Sequence, residues 1–183
     1  MERKPAAPKG GAAKWGDVAM AGLFLAFILV TGLMERALPL DMIVPGARLG
    51  LSNVAILAAV YLFRFRTALA LTLMKCLLLS MLAGGPSYLL YSLGGSLPAV
   101  AAMWALARAL GDRVSPVGVS VAGAACHSVG QTLTACAALE NMWMLAYLPP
   151  LLLVSAASGA VVGLIAKQAL PRLRAAGWAG RRR

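Results

Sequence analysis

Acidic residues are what this chain has least of: 6 Asp and Glu stand against 17 Lys and Arg in 183 residues. No Asp-rich motif for binding a metal diphosphate occurs among them. There is no P-loop, so the chain does not energise transport by hydrolysing ATP itself. Histidine occurs once, at His127, with no second ligand pattern beside it, which argues against a metal site. No acid or base partner accompanies it in a Ser–His–Asp or Cys–His constellation, so the expectation is a protein that is not an enzyme and carries no cofactor. Cys76, Cys126 and Cys136 form no CxxC pair and each falls inside an apolar run, where cysteine reads as a small core residue. The net charge of +11 does not point to nucleic acid. Its basic residues sit in short clusters between apolar runs and at the tails, where membrane topology already accounts for them.

Long apolar runs fill the remainder. The chain is 61% hydrophobic, with a mean hydropathy of +0.80. Several runs reach the roughly 18 apolar residues that mark a helix crossing a ~30 Å hydrocarbon core. Six spans are expected, at 18–38, 49–63, 67–82, 88–110, 117–139 and 144–170. They make an all-α integral membrane protein, a single six-helix bundle over 17–170 with basic tails at 1–16 and 171–183. The first run is too long for the apolar region of a cleavable signal peptide, and more spans follow it. Apart from Arg36, Arg48 and the intramembrane Lys75, every basic residue falls on one side of these spans. The positive-inside rule makes that side cytoplasmic, with both termini inside a bacterial cytoplasmic membrane. The tails are expected to lie against an anionic leaflet.

Polar residues inside the spans are costly and therefore informative. Lys75, in LTLMKCLLLS, lies about nine residues into the third span, roughly 13 Å deep. A central lysine costs about 2.5–3.5 kcal/mol on insertion scales, so it is expected to face the bundle interior or a watery cavity; snorkelling to the surface is the alternative. In AGAACHSVGQTLTA, the residues Ser120, Ala124, His127, Gln131 and Thr134 fall on one helical face, and Gly123 and Gly130 allow another helix or a ligand to come close. His127 is either a ligand contact or an interhelical hydrogen bonder. In PSYLLYSLGGSLPA, Tyr88, Tyr91 and Ser92 stand near the outer end of the fourth span. Tyrosines there belong by default to the aromatic belt. Gly94, Gly95 and Pro98 are expected to interrupt that helix and to favour a lined cavity. In PGARLGLSN, Arg48 is a headgroup anchor or the lip of a pocket, with Asn53 roughly 7–8 Å below it. With the spans oriented, these groups share the outer half of the bundle, which suits an outward-facing pocket better than a through-pore. Arg48 and Lys75 would supply charge to a small anionic or aromatic ligand, a vitamin, flavin, quinone or prenyl compound. Asn53, Ser92, His127 and Gln131 would supply hydrogen bonds, and Tyr88 and Tyr91 a stacking surface.

PGARLGLSN, YLFRF, MKCLLLSML, YLLYSLGG, GVSVAGAACHSVGQ and YLPPLLLVSAASGAVVGLIA together resemble the Gx transporter family, whose members are often labelled heptaprenyl diphosphate synthase component I. The likeness covers 18–169. The family pattern PGxKLG has Arg48 here in place of lysine, and the HNxGQ-like element reads HSVGQ, with Ser128 for asparagine. The family is similar to the substrate-binding S components of energy-coupling factor transporters, six-helix proteins that bind a vitamin from outside. That similarity implies gating loops at Pro45 to Arg48, Gly85 to Tyr88 and Glu140 to Trp143. It also implies a transmembrane coupling subunit and ATPases as partners, docked through small residues on the first helix, here Gly22 and Ala26. The alternative, on the synthase label, is an accessory or scaffold subunit of a prenyl diphosphate, quinone or redox assembly, with a prenyl diphosphate synthase subunit as its partner.

Overall fold

The computed structural model describes residues 10–37 and 50–178. These residues form six long helices: α1 (Gly10–Arg36), α2 (Leu51–Leu62), α3 (Phe65–Ala83), α4 (Gly85–Ala109), α5 (Pro116–Ala138) and α6 (Leu148–Leu173). Short 3-10 turns follow α4 and precede α6. No strand occurs among the described residues. Arg48, with the rest of PGARL, lies outside the described residues, as do 1–9 and 179–183. The first helix starts at Gly10, inside the stretch expected to be a tail.

Local signals explain most helix starts. Ser115 caps α5 by accepting the N–H of Gly118 at 3.3 Å, and Pro116 opens the first turn. Pro86 does the same for α4. At the head of α2, Gly50 is left-handed (φ 74°), a conformation that glycine adopts without the steric cost other residues bear.

The helices divide their faces between core and surroundings. On α1, Leu23, Phe27, Val30 and Met34 are exposed, while Phe24 and Ile28 are buried. On α3, Leu73, Met74, Leu77 and Met81 are exposed, whereas Leu71, Thr72, Lys75, Cys76 and Leu79 are buried. Large apolar side chains on the outside of a polar-lined interior are what a bilayer solvent selects. Four helical segments are long and apolar enough to cross a membrane: Val18–Arg36, Phe65–Leu82, Gly85–Ala109 and Met142–Ala176.

The other two expected spans differ for physical reasons. The α2 helix has only 12 residues, about 18 Å of rise, which falls short of a ~30 Å core. It sits at the centre instead, touching α1, α3, α4 and α6, with nine of its residues buried. An apolar helix buried on nearly all sides needs no lipid-facing length. The α5 helix is long enough at 23 residues, but its serines, threonines, His127 and Gln131 dilute its hydropathy.

The expected interruption of the fourth span does not occur. Helix α4 runs unbroken through Gly94, Gly95 and Pro98. Proline at 98 cannot donate to the carbonyl of Gly94. That carbonyl faces α5, where a Cβ on Gly130 would fall 2.3 Å from the Gly94 oxygen and 2.6 Å from the Pro98 ring. These glycines are therefore used for close approach of two backbones. A methyl group at 130 must collide with backbone, although alanine is the better helix former by about 1 kcal/mol. Gly130→Ala is expected to destabilise by about 1–3 kcal/mol, the range for overpacking. Gly22→Ala, where nothing lies within 4 Å of the new methyl, is expected to hold or raise the melting temperature. Thermal unfolding in detergent checks both, and a Gly130→Ala protein as stable as the parent would contradict the crossing.

Candidate functional site

The ends of α1, α2 and α4 meet at one pole of the bundle. The buried Glu35 carboxylate accepts the backbone N–H of Gly50, which ties the end of α1 to the start of α2. The guanidinium of Arg36 lies 3.9 Å from the centre of the Tyr88 ring, a cation–π contact between α1 and α4. Below this pole a cavity of about 200 Å³ runs into the bundle, lined by residues of all six helices.

Lys75 lines the cavity from α3, at 6% exposure. Its ammonium donates to Oδ1 of Asn53 on α2 at 2.6 Å. The charge therefore stays in the interior rather than snorkelling to the surface, and the side-chain amide offsets part of its desolvation. His127 lines the cavity from α5. A Cβ on Gly95 would lie 2.8 Å from its Cε1 and 2.9 Å from its Nε2, so the imidazole occupies the room that glycine leaves on α4.

Hydroxyls form the remaining polar wall. Ser92 donates to the Cys76 sulfur at 3.3 Å. Ser155 donates to the Leu151 carbonyl at 2.7 Å, so in its contact with Ser128 across α5 and α6 the proton comes from Ser128. Ser52, Ser96, Ser120 and Ser158 also face the cavity. The hydroxyl of Ser96 is buried and has no hydrogen-bond partner among the described residues. Among the described residues that line the cavity, two side chains are cationic, Lys75 and Arg36, and one is a carboxylate, Glu35, which holds Gly50. No group of three His, Cys, Asp or Glu side chains gathers among the described residues.

Of the residues expected at the site, the fold brings Asn53, Lys75, Tyr88, Ser92 and His127 to this one cavity. Tyr91 and Gln131 are half-buried and do not line it. At Gln131 the reason is the neighbouring Gly130–Gly94 crossing, which closes α4 onto α5. Thr134 is also turned away, donating to the Gly130 carbonyl at 2.8 Å and packing on Gly94. The face of α5 that lines the cavity is Ser120, Gly123, Ala124, His127 and Ser128. Gly85 to Tyr88 form the first turn of α4 rather than a loop, while Trp143 is highly exposed on the turn before α6. Gly22 and Ala26 share an exposed face of α1.

Glu35, Arg36 and most of the serines were not anticipated as site residues. For the serines the signal lies in the spacing: Ser92 and Ser96, Ser120 and Ser128, and Ser155 and Ser158 recur at helical intervals.

The Lys75–Asn53 contact yields a direct test. Asn53→Leu removes the acceptor and keeps the charge, and is expected to cost about 1–3 kcal/mol. Lys75→Met combined with Asn53→Leu should recover part of that loss, giving a coupling energy of about 0.5–3 kcal/mol in a double-mutant cycle of unfolding. Strict additivity would show that the two side chains do not depend on each other.

No curated protein and no solved structure matches the chain. A family profile described as heptaprenyl diphosphate synthase component I matches residues 24–169, from the buried Phe24 of α1 to the last turns of α6, and so takes in every helix that lines the cavity. The chain belongs to the heptaprenyl diphosphate synthase component I family.

Proposed function

We propose that the chain is a membrane-embedded binding subunit, without catalytic activity of its own, that serves prenyl diphosphate chemistry beside a separate synthase subunit. The observation that carries the binding part is the buried ammonium of Lys75 in one cavity with the unpartnered hydroxyl of Ser96. Both groups are donors that an anionic ligand rich in acceptors would engage. The family description supplies the partner. A volume of about 200 Å³ lies below the ~300–1,000 Å³ of typical ligand pockets. It suits a small anion, or the polar head of a longer apolar molecule, rather than a whole flavin. Arg48, which lies outside the described residues, would add positive charge for such a ligand.

A second reading is favoured by one observation. Arg64, Arg66, Arg108 and Arg113 lie at the pole away from the Arg36–Tyr88 contact, which under the positive-inside rule supports an outward-opening cavity. Outward access suits capture from outside, as in the S components of energy-coupling factor transporters. The exposed Gly22–Ala26 face of α1 would then meet a coupling subunit.

The test is purification from native membranes, followed by mass spectrometry of bound small molecules and proteins. A small anion or a prenyl phosphate should accompany the wild-type protein. Lys75→Met should retain at least tenfold less, as expected for loss of a charge-assisted bond worth about 1.5–3 kcal/mol. Undiminished retention in Lys75→Met would overturn the site. A prenyltransferase in the preparation supports the first reading, and ATPases with a coupling subunit support the second.

A further inference from the structure

A second cavity, of about 400 Å³, lies at the opposite pole, between the α2–α3 turn and the last turns of α4. Its polar wall is three arginines, Arg64, Arg66 and Arg108, and its apolar wall includes Phe63, Phe65 and Trp104. In YLFRFRT the aromatic and basic residues alternate, and the turn keeps Phe63 and Arg64 extended before α3 begins. Successive side chains of an extended segment point to opposite sides, which separates ring from guanidinium. Phe63 packs edge-on against Phe24 of α1 with centroids 5.3 Å apart, and Phe65 meets Trp104 of α4 at 5.0 Å. The aromatic wall is thus fixed by two neighbouring helices. Arg108 stands one turn beyond Trp104, its guanidinium 5.9 Å from the ring centroid.

The positive-inside rule explains why cations occur on this side of the membrane. It does not explain why three guanidinium groups surround one aromatic cleft. Among the described residues no acidic side chain lines that cleft, and none lies in the first turn of α3. Arg66 sits in that first turn, where the helix dipole is positive and disfavours a cation. Like charges brought together repel one another, and an anion bound among them lowers that repulsion. Guanidinium forks match phosphate oxygens in particular. The adjoining rings at the membrane boundary offer a bed for an apolar chain.

We propose that this cavity is a second binding site, separate from the one around Lys75, for a phosphate-bearing amphiphile: a phosphate or diphosphate head on the arginines and an apolar chain along Phe65 and Trp104. The chemistry is shared by anionic phospholipids and by prenyl diphosphates. The inference does not rest on the function proposed for the first cavity.

The experiment uses full-length Lys75→Met protein in neutral detergent, so that the first cavity contributes least. Native mass spectrometry measures binding of phosphatidylglycerol, farnesyl diphosphate, inorganic diphosphate and phosphatidylcholine. Phosphatidylglycerol or farnesyl diphosphate is expected to bind at least tenfold tighter than phosphatidylcholine and than inorganic diphosphate, and whichever binds tighter identifies the source. Combined Arg64→Gln and Arg108→Gln should lower that affinity at least tenfold. Arg64→Lys with Arg108→Lys keeps the charge and serves if the first variant does not fold; it should lower affinity severalfold through loss of the planar fork. Equal binding of phosphatidylcholine, equal binding of inorganic diphosphate, or unchanged affinity in a folded variant would overturn the proposal.

Discussion

A lysine ammonium held inside an apolar helical bundle constrains everything around it. Lys75 belongs to a helix whose opposite face, with Leu73, Met74, Leu77 and Met81, is exposed and apolar. It is turned to the buried face, where the polar groups must come from other helices. Asn53 supplies one, from the first turns of α2. That placement requires α2 to enter the bundle beside α3, and α2 accordingly becomes the short central helix rather than a sixth outer one. The Glu35 carboxylate then holds the head of α2 through Gly50. One buried charge, one amide and one carboxylate together fix how α1, α2 and α3 meet.

The other three helices solve a different problem. Lipid tails give apolar helices no reason to associate, so α4, α5 and α6 come together through small residues. Gly130 lies against Gly94, Gly159 against Val121 and Ala124, and Gly163 against Val117. Where small residues oppose one another, the helices touch. Where serines and His127 line them instead, they leave the cavity. The two patterns alternate along α5, which is why Gln131, a single turn beyond His127, falls on the closed side. A polar cavity and tight crossings are thus neighbouring outcomes of one sequence pattern.

Much of this was legible beforehand, and the rest was not for identifiable reasons. Lys75, Asn53 and His127 were conspicuous because polar groups in apolar runs are expensive, and the fold brings all three to one cavity. Serine is cheap enough to be placed anywhere in a helix, since it donates to its own backbone, as Ser80 does to Leu77. The serine wall therefore gave only a spacing. Arg36 and Glu35 read as boundary charges, because nothing in a single span tells that its end will fold over the mouth of a cavity. Gly94, Gly95 and Pro98 look like a break when α4 is read alone. Paired with Gly130 they form a contact surface, a fact that belongs to two helices at once. Helix α2 was recognised as an apolar run, but its length relative to the bilayer depends on what surrounds it.

Two cavities lie at opposite poles, one small and hydroxyl-lined around Lys75 and one wider, with aromatic and arginine side chains. The first of them is the one on which the proposed ligand binding by Lys75 depends. An experimental density map of protein purified from its native membrane, without added ligand, tests it most directly. The prediction is non-protein density bounded by Lys75, Ser96, Ser128 and Arg36. Side chains collapsed into that space, or a Lys75 directed away from it toward the surface, would contradict the account.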